Sequence, residues 1–258
     1  MLKVLFIDID GTIRINNKID KSILEAFKEL KKLQVKVILT TGRNFLHARK
    51  LARKLDVYPI VIACNGSLVK RIDNNEIIAR GNIPRKLVRQ VFAFTSSHGC
   101  SLLAHEDNTN YYIRKNDDIT TGITGLTVTS KNYDRMLAMK YLFQDQIPTL
   151  ECVNFSKALY EARRIPNKIY FHDINLKGLT KGHGIIKTLD YLGIDSKETM
   201  AIGDSNNDIS MAKITSTSIA VKTATSELKN ASTTVLTEDL GVFLAKLVTS
   251  LKEKRNIL

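Results

Sequence analysis

Lys3-Val4-Leu5-Phe6-Ile7-Asp8-Ile9-Asp10-Gly11-Thr12 is the stretch on which the reading of this chain turns. Val4 to Ile7 is a short unbroken apolar run, the pattern of a strand buried on both faces. It ends in two carboxylates, Asp8 and Asp10, followed by Gly11 and Thr12. Aspartate is a poor strand residue and is rarely buried without a partner or a metal. An Asp/Gly/Thr turn would account for one acid at the end of a core strand. The remainder of the chain decides what a pair of them means.

Outward from this strand the pattern alternates. Asn16–Lys18 is a polar turn. Asp20 or Ser22 can cap a helix, and Ser22 with Glu25 has capping-box spacing. Ile23, Phe27 and Leu30 then recur at helical intervals. Val35–Leu39 reads as a second buried strand ending in Thr40-Thr41-Gly42-Arg43. Phe45, Ala48, Ala52 and Leu55 mark a helix face, and Ile60–Cys64 a third strand before Asn65-Gly66. Strand, helix, strand, helix, strand is the order of a parallel sheet covered by helices.

The rhythm changes after residue 66. Leu68-Val69 and Ile77-Ile78 flank Asp73-Asn74-Asn75 as a hairpin. A helix is expected from Pro84 to about Ser97, an extended pair at Ser101–Ala104 and Tyr111–Ile113, and a helix over Tyr133–Phe143. Strands are expected at Cys152–Phe155 and Ile169–Ile174. The first rhythm resumes at Thr180, with a helix over Gly184–Leu192 and a strand at Met200–Ile202. The latter ends in Gly203-Asp204-Ser205-Asn206-Asn207-Asp208. A strand at Ser218–Val221, a helix at Glu227–Ala231, a strand at Val235-Leu236 and a C-terminal helix follow. The expected fold class is α/β: a Rossmannoid parallel sheet flanked by helices, formed by residues 1–82 and 178–258, with an α+β domain inserted at 83–177.

Composition sets the outer bounds. The 258 residues are 43% hydrophobic and 25% charged, as in ordinary globular proteins. There is no stretch of about 18 apolar residues, so no membrane span is expected. The chain opens directly on a strand, and no secretory signal is expected. Cys64, Cys100 and Cys152 have neither disulfide-framework nor zinc spacing, which suits a reducing cytoplasm. The net charge of +13 raises nucleic acid as a partner. However, the basic residues are spread over polar helix faces, so a solvated basic surface that also attracts small anions is the reading adopted. A monomer or weak homodimer is expected.

Four polar clusters can converge although they lie far apart in sequence: Asp8/Asp10, Thr41-Gly42, Lys181, and Asp204 to Asp208. Three follow the carboxyl ends of expected parallel strands, where open α/β sheets bind ligands, and the fourth opens a helix. Carboxylates suit a hard cation such as Mg²⁺, which takes one or two of them together with substrate phosphate and water. Thr41 can donate to a phosphate oxygen, Gly42 leaves amides accessible, and Lys181 supplies a point charge. The set fits phosphoryl transfer, in which positioning and charge neutralisation dominate. A carboxylate can also attack phosphorus to give an aspartyl phosphate.

Asp8-Ile9-Asp10-Gly11-Thr12, Thr40-Thr41-Gly42-Arg43, Lys181-Gly182 and Gly203 to Asp208 resemble, in order, the four motifs of the haloacid dehalogenase superfamily. The nearest resemblance is to its Cof-type phosphatases, which carry a large cap between the second and third motifs. The resemblance implies a Mg²⁺-dependent phosphatase acting on a small phosphorylated metabolite, such as a sugar phosphate or a nucleotide- or cofactor-like phosphate. Asp8 would be nucleophile and metal ligand. Asp10 would be general acid/base, touching the metal through its carbonyl. The Ile9 amide, Thr41, Gly42, Lys181 and Asn207 would hold the phosphoryl group. Asp204 and Asp208 would complete the metal site. Thr40 is expected to be a strand residue only. Arg43 would either reach substrate or pair with a surface acid, and Asn65-Gly66 matches the entry to the cap. His183 reads as a helix-start residue; His47, His98, His105 and His172 read as surface or cap residues. Tyr111, Tyr112, Arg114 and Lys157 are the candidates for substrate selection. The alternatives are a phosphomutase on the same scaffold, or a non-catalytic protein binding phosphorylated ligands or nucleic acid.

Overall fold

The structure, a computed structural model, describes residues 1–153 and 169–256. Strand β1 (Val4–Ile7) lies at the centre of an eight-stranded sheet. It pairs in parallel with β2 (Lys36–Thr40) on one side and with Thr199–Gly203 on the other. Its residues alternate between two cores. Leu5 and Ile7 join the cluster beneath one set of helices, while Val4 and Phe6 join the cluster on the opposite face. This explains why the run is apolar at every position.

On the first face pack helices α1 (Lys21–Lys32), through Ile23, Ala26, Phe27 and Leu30, and α2 (Phe45–Leu55), through Phe45, Ala48, Ala52 and Leu55. Asp20, not Ser22, is the N-cap of α1: its carboxylate accepts from the Ser22 amide at 2.8 Å. The helix begins at Lys21, two residues earlier than a Ser22 cap requires, so the Ser22/Glu25 spacing is unused. After β3 (Ile60–Ala63) the chain forms the expected hairpin, β4 (Leu68–Arg71) and β5 (Ile77–Arg80), which extends the sheet antiparallel to β3.

A second sheet follows. Helix α3 (Arg85–Ser97) leads into β6 (Ser101–His105) and β7 (Asn110–Tyr112). Next comes β8 (Gly125–Ser130), for which the sequence reading contains no strand. It is the middle of the five-stranded sheet, pairing with β6 on one side and β10 (Tyr170–Leu176) on the other. Helix α4 (Tyr133–Gln146) and edge strand β9 (Leu150–Val153) complete this layer among the described residues. Phe155 of the expected strand lies outside them. Leu102, Ala104, Leu126, Val128 and Ile174 bury one face of this sheet with Val88, Val91 and Met139. Period-two alternation directs His105, Thr127 and Asp173 to the other face.

The chain then returns to the first sheet. Helix α5 (Lys181–Leu192) starts three residues before the expected Gly184, with Thr180 as N-cap and Gly193 as its left-handed stop. Strands β11 (Thr199–Gly203), β12 (Thr217–Ala220) and β13 (Thr234–Val235) continue away from β1. Helix α8 (Leu240–Asn256), which follows the short helices α6 (Ile209–Ala212) and α7 (Ser226–Ala231), packs on the same face as α1. Among the described residues no helix is long and apolar enough to cross a membrane.

Strand order reverses between β1 and β11, because the chain fills one side of β1 first and the other side later. A crevice at the carboxyl ends is the consequence, and there the ends of β1, β2 and β11 deliver Asp8, Thr41 and Asp204.

Candidate active site

Asp8, Lys181 and Asp208 form the buried base of the crevice, exposed by 5%, 1% and 1%. The Lys181 ammonium donates to Asp8 Oδ1 at 2.5 Å and to Asp208 Oδ1 at 2.6 Å. A cation at a helix N-terminus opposes the helix dipole; here two carboxylates outweigh that cost. Burial pulls the Lys181 pKa down, but the attraction of Asp208 and Asp8 is larger in sum and the net shift is upward. The lysine is therefore charged.

Asp208 also clamps the loop that carries Asp204. Its Oδ2 accepts from the amides of Asp204 and Ser205 at 2.9 and 3.0 Å. Asp204 in turn accepts from the Thr12 hydroxyl at 3.1 Å and the Ser205 hydroxyl at 2.9 Å. Gly11 lies against that carboxylate with φ +94°, where a Cβ would collide with it. Glycine is thus required by both the backbone and the space.

Asp8, Asp204 and Asp208 each place an oxygen within 4.8 Å of the others. Burial raises the pKa of Asp8 well above its ordinary value. Asp208 and Asp204 push in the same direction and Lys181 opposes them. Asp204 is raised first by burial and then by Asp208. Lys181 offsets only part of this buried negative charge. A hard divalent cation with oxygen ligands fits both the donor set and the charge imbalance.

The other acid of the opening motif lies apart from the three-acid cluster. The Arg43 guanidinium grips the Asp10 carboxylate in a fork, Nε to Oδ2 at 2.5 Å and Nη2 to Oδ1 at 2.7 Å. The sequence allowed Arg43 the substrate or a surface acid; its partner is instead Asp10, an acid of the opening motif that lines the cavity. The pairing with Asp10, opposed by burial, raises the Arg43 pKa. The Asp10 carboxylate is thereby separated from the three acids with which the sequence reading grouped it as a metal residue; that reading used its backbone carbonyl.

The remaining expected residues fall around the same crevice. Thr41 Oγ1 accepts from the Arg43 amide at 3.1 Å, which directs the hydroxyl hydrogen elsewhere. Thr41 and Gly42 line the crevice, whereas Thr40 is wholly buried in the strand. Asn207 lines it too, donating from Nδ2 to Asn65 Oδ1 at 2.9 Å. The Ile9 side chain is in the core and its carbonyl accepts from the Arg14 amide at 2.8 Å. Asn65 and Gly66 both have positive φ, and Gly66 sits directly on the Thr180 carbonyl, which leaves no space for a side chain. The turn after β3 is thus pressed against the start of α5, keeping Lys181 next to Asp8. His183 is a helix-start residue as expected, its amide donating to Thr180 Oγ1.

A cavity of about 370 Å³ stands over Asp8 and Asp10. Its upper wall is the open face of the second sheet, with His105, Thr127, Phe171 and Asp173, and His47 of α2 stands on the lower side. None of these residues was a site candidate from sequence. His47 is an exposed residue and His105 a residue of the second sheet, as expected, yet both face the cavity. Of the residues proposed for selection, Tyr111, Tyr112 and Arg114 do not line it. Tyr111 bonds Glu106, Tyr112 is exposed, and the Arg114 amide bonds Asp117. Lys157 lies outside the described residues.

Residues 5–240 match the family model of the haloacid dehalogenase-like hydrolases. This chain belongs to that family. Within it, the chain is similar to a phosphoglycolate phosphatase of Methanosarcina mazei, 28% identical over 93% of this chain and 92% of that one. It is also similar to the 5-amino-6-(5-phospho-D-ribitylamino)uracil phosphatase YcsE of Bacillus subtilis, 25% identical over 86% and 85%. The fold of this haloacid dehalogenase-like hydrolase superposes on that of another, from Bacteroides thetaiotaomicron, with TM-score 0.80 at 16% identity, covering 96% and 100% of the two chains.

Proposed function

We propose that this hydrolase is a Mg²⁺-dependent phosphatase that cleaves a small phosphomonoester through a phospho-aspartyl intermediate on Asp8. The observation that carries this reading is the Lys181 bridge between Asp8 and Asp208 at the base of a cavity that also holds a second acid, Asp10. Asp8, Asp204, Asp208 and the Asp10 carbonyl would hold Mg²⁺, whose charge would offset that of the phosphoryl group.

Asp8 attacks phosphorus, forming the carboxyl–phosphorus bond as the ester P–O bond breaks. Asp10 gives its proton to the departing alkoxide, then takes one from the water that hydrolyses the acyl phosphate. Thr41, the Gly42 and Ile9 amides, Asn207 and Lys181 hold the phosphoryl oxygens. Arg43 holds the Asp10 carboxylate in a fork, and this pair would open for Asp10 to meet the leaving group. Residues 1–82 and 178–258 supply this machinery, and 83–177 form a cap that excludes water and contacts the leaving alcohol. The small cavity and the spread basic charge support a small phosphorylated metabolite, not nucleic acid, as partner, and the reduced cysteines support a cytoplasmic location.

The test is phosphate release from p-nitrophenyl phosphate and a panel of metabolite esters. Turnover should require Mg²⁺, stop with EDTA, and fall by at least about a thousandfold in Asp8→Asn. A wild-type protein that releases no phosphate from any ester with Mg²⁺ present refutes the proposal.

A further inference from the structure

The turn that follows β3 holds three consecutive residues with positive φ: Cys64 at +48°, Asn65 at +53° and Gly66 at +97°. Glycine adopts that region freely, and a residue with a Cβ does not. Asparagine tolerates it better than most side chains, so the backbone alone would account for an asparagine in an exposed turn. It does not account for one that is 1% exposed and whose side chain bonds a residue 142 positions away.

The backbone of this turn is anchored on two sides. The Asn65 amide donates to the Thr41 carbonyl at 3.0 Å, and the Cys64 amide donates to the Arg43 carbonyl at 2.8 Å. Gly66 is pressed on the Thr180 carbonyl at the start of α5. Asn65 is thus fixed relative to both Thr41 and Lys181 by its backbone. Its side chain then reaches a third segment, the one that follows β11. There its Oδ1 accepts from Asn207 Nδ2 at 2.9 Å. One turn therefore touches the loop that carries Thr41, the helix that carries Lys181 and the segment that carries Asn207.

Asn207 lines the cavity and depends on that contact. Among the described residues its buried Oδ1 has no hydrogen-bond partner, so the bond to Asn65 is the one that holds its amide. The torsion that turns an amide plane is soft and roughly two-fold, so an unheld asparagine presents nitrogen and oxygen in turn. Donation to Asn65 commits one of the two Nδ2 hydrogens and leaves the second for a ligand. An amide reversed in this place would turn its oxygen, not its nitrogen, towards an anion.

We propose that Asn65 is a positioning residue of the phosphoryl site, acting through Asn207 by holding that amide with its nitrogen available to the phosphoryl oxygens. This rests on the phosphatase reading above, in which Asn207 binds those oxygens.

Inhibition of p-nitrophenyl phosphate hydrolysis by inorganic phosphate, measured on the full chain with Mg²⁺, tests it in a double-mutant cycle. Asn207→Ala removes a donor to a charged group and should raise both KM and the Ki of phosphate about 10- to 100-fold. Asn65→Gly keeps the left-handed backbone and removes only the side chain. It should raise both constants about two- to tenfold and change kcat less than KM. In the Asn207→Ala background the same substitution should add less than about twofold, because the residue through which it acts is gone. Losses that multiply in the double variant show a general structural role and overturn the inference. An unchanged Ki in either single variant overturns it as well. Each of these results leaves the phosphatase reading standing, whereas no turnover of any ester by the wild type refutes that reading and this inference together.

Discussion

The floor and the roof of the cavity are built on opposite electrostatic plans. The floor is a knot of full charges, nearly inaccessible to solvent, in which Lys181 bonds two carboxylates that also lie beside Asp204. The roof is a half-exposed face of a sheet, where hydrogen bonds run from His105 through Thr127 to Asp173. Catalysis of phosphoryl transfer requires concentrated charge held rigidly, which is affordable only where the fold enforces pairing. Recognition of an alcohol requires directional hydrogen bonds without strong charge. The difference teaches that the two sheets bring different means to one cavity: paired full charges from one, directional hydrogen bonds from the other.

Breaking the floor should have the largest effect. Lys181→Met leaves Asp8 and Asp208 buried without their shared partner. Loss of one member of a buried pair costs about 3–5 kcal/mol of stability, and kcat should fall about 10²–10³-fold. Thermal denaturation and turnover measure the two losses separately; a variant that loses activity with unchanged Tm would show that the charges are not coupled as described.

The link between floor and proton donor comes next. Asp10→Asn should lower kcat about 10²-fold for an alkyl phosphate. The loss should be clearly smaller for p-nitrophenyl phosphate, whose leaving phenolate needs little help from an acid. Equal losses on both esters would remove Asp10 from the role of acid.

A smaller effect is expected where the roof is seated on the floor. Asp107, on the loop between β6 and β7, receives both Lys70 at 2.9 Å and Arg80 from the core hairpin. Lys70 also lies 4.9 Å from the centre of the Phe45 ring, at the start of α2. Asp107→Asn should cost about 1–3 kcal/mol of stability and raise KM for metabolite esters several-fold more than it lowers kcat. Calorimetry with kinetics on one sample checks this, and an unchanged KM would dissociate the contact from substrate binding.

The smallest effect belongs to the far side of the core. Glu29 of α1 accepts from Lys252 of α8 and from Lys32, and these bonds lower its pKa from 4.5 to about 2. A depressed folded pKa stabilises above the unfolded value and is lost as pH falls. Glu29→Gln should therefore lower Tm slightly at neutral pH with no change in KM, and the gap from wild type should close as pH drops from 4.5 towards 2. A gap that persists at low pH would show that the ion pair is not its source.

The floor was legible in the sequence because it breaks local rules. Acids end a fully apolar strand, a lysine opens a helix, and Gly11 follows the acids. Each is a local anomaly and each falls near the active site. The roof was legible only in part. Gly125–Ser130 alternates Leu126 and Val128 with Thr127 and Thr129, a valid period-two signal between Gly122 and Asn132, but it is short and lies within a threonine-rich stretch that blurs the contrast between its two faces. The hydrogen bonds of the roof join residues 22 and 46 positions apart. Only antiparallel register brings them together, and a single sequence does not carry register. His47 had a local signal, three residues after the helix cap Asn44, but that its ring meets the cap oxygen becomes visible only with the geometry of the cap. Asp20 took the cap from Ser22 for a related reason: a shift of two residues in the helix start decides which oxygen meets which amide.

Asn175 carries a mechanical consequence. From the roof strand β10 this buried side chain donates to the Cys64 carbonyl and to the Ser67 hydroxyl, both at 2.6 Å, in the turn that joins β3 to β4 of the core sheet. The roof is therefore tied to the core sheet through one amide side chain, and lifting β10 to widen the cavity has to break both of its bonds at once.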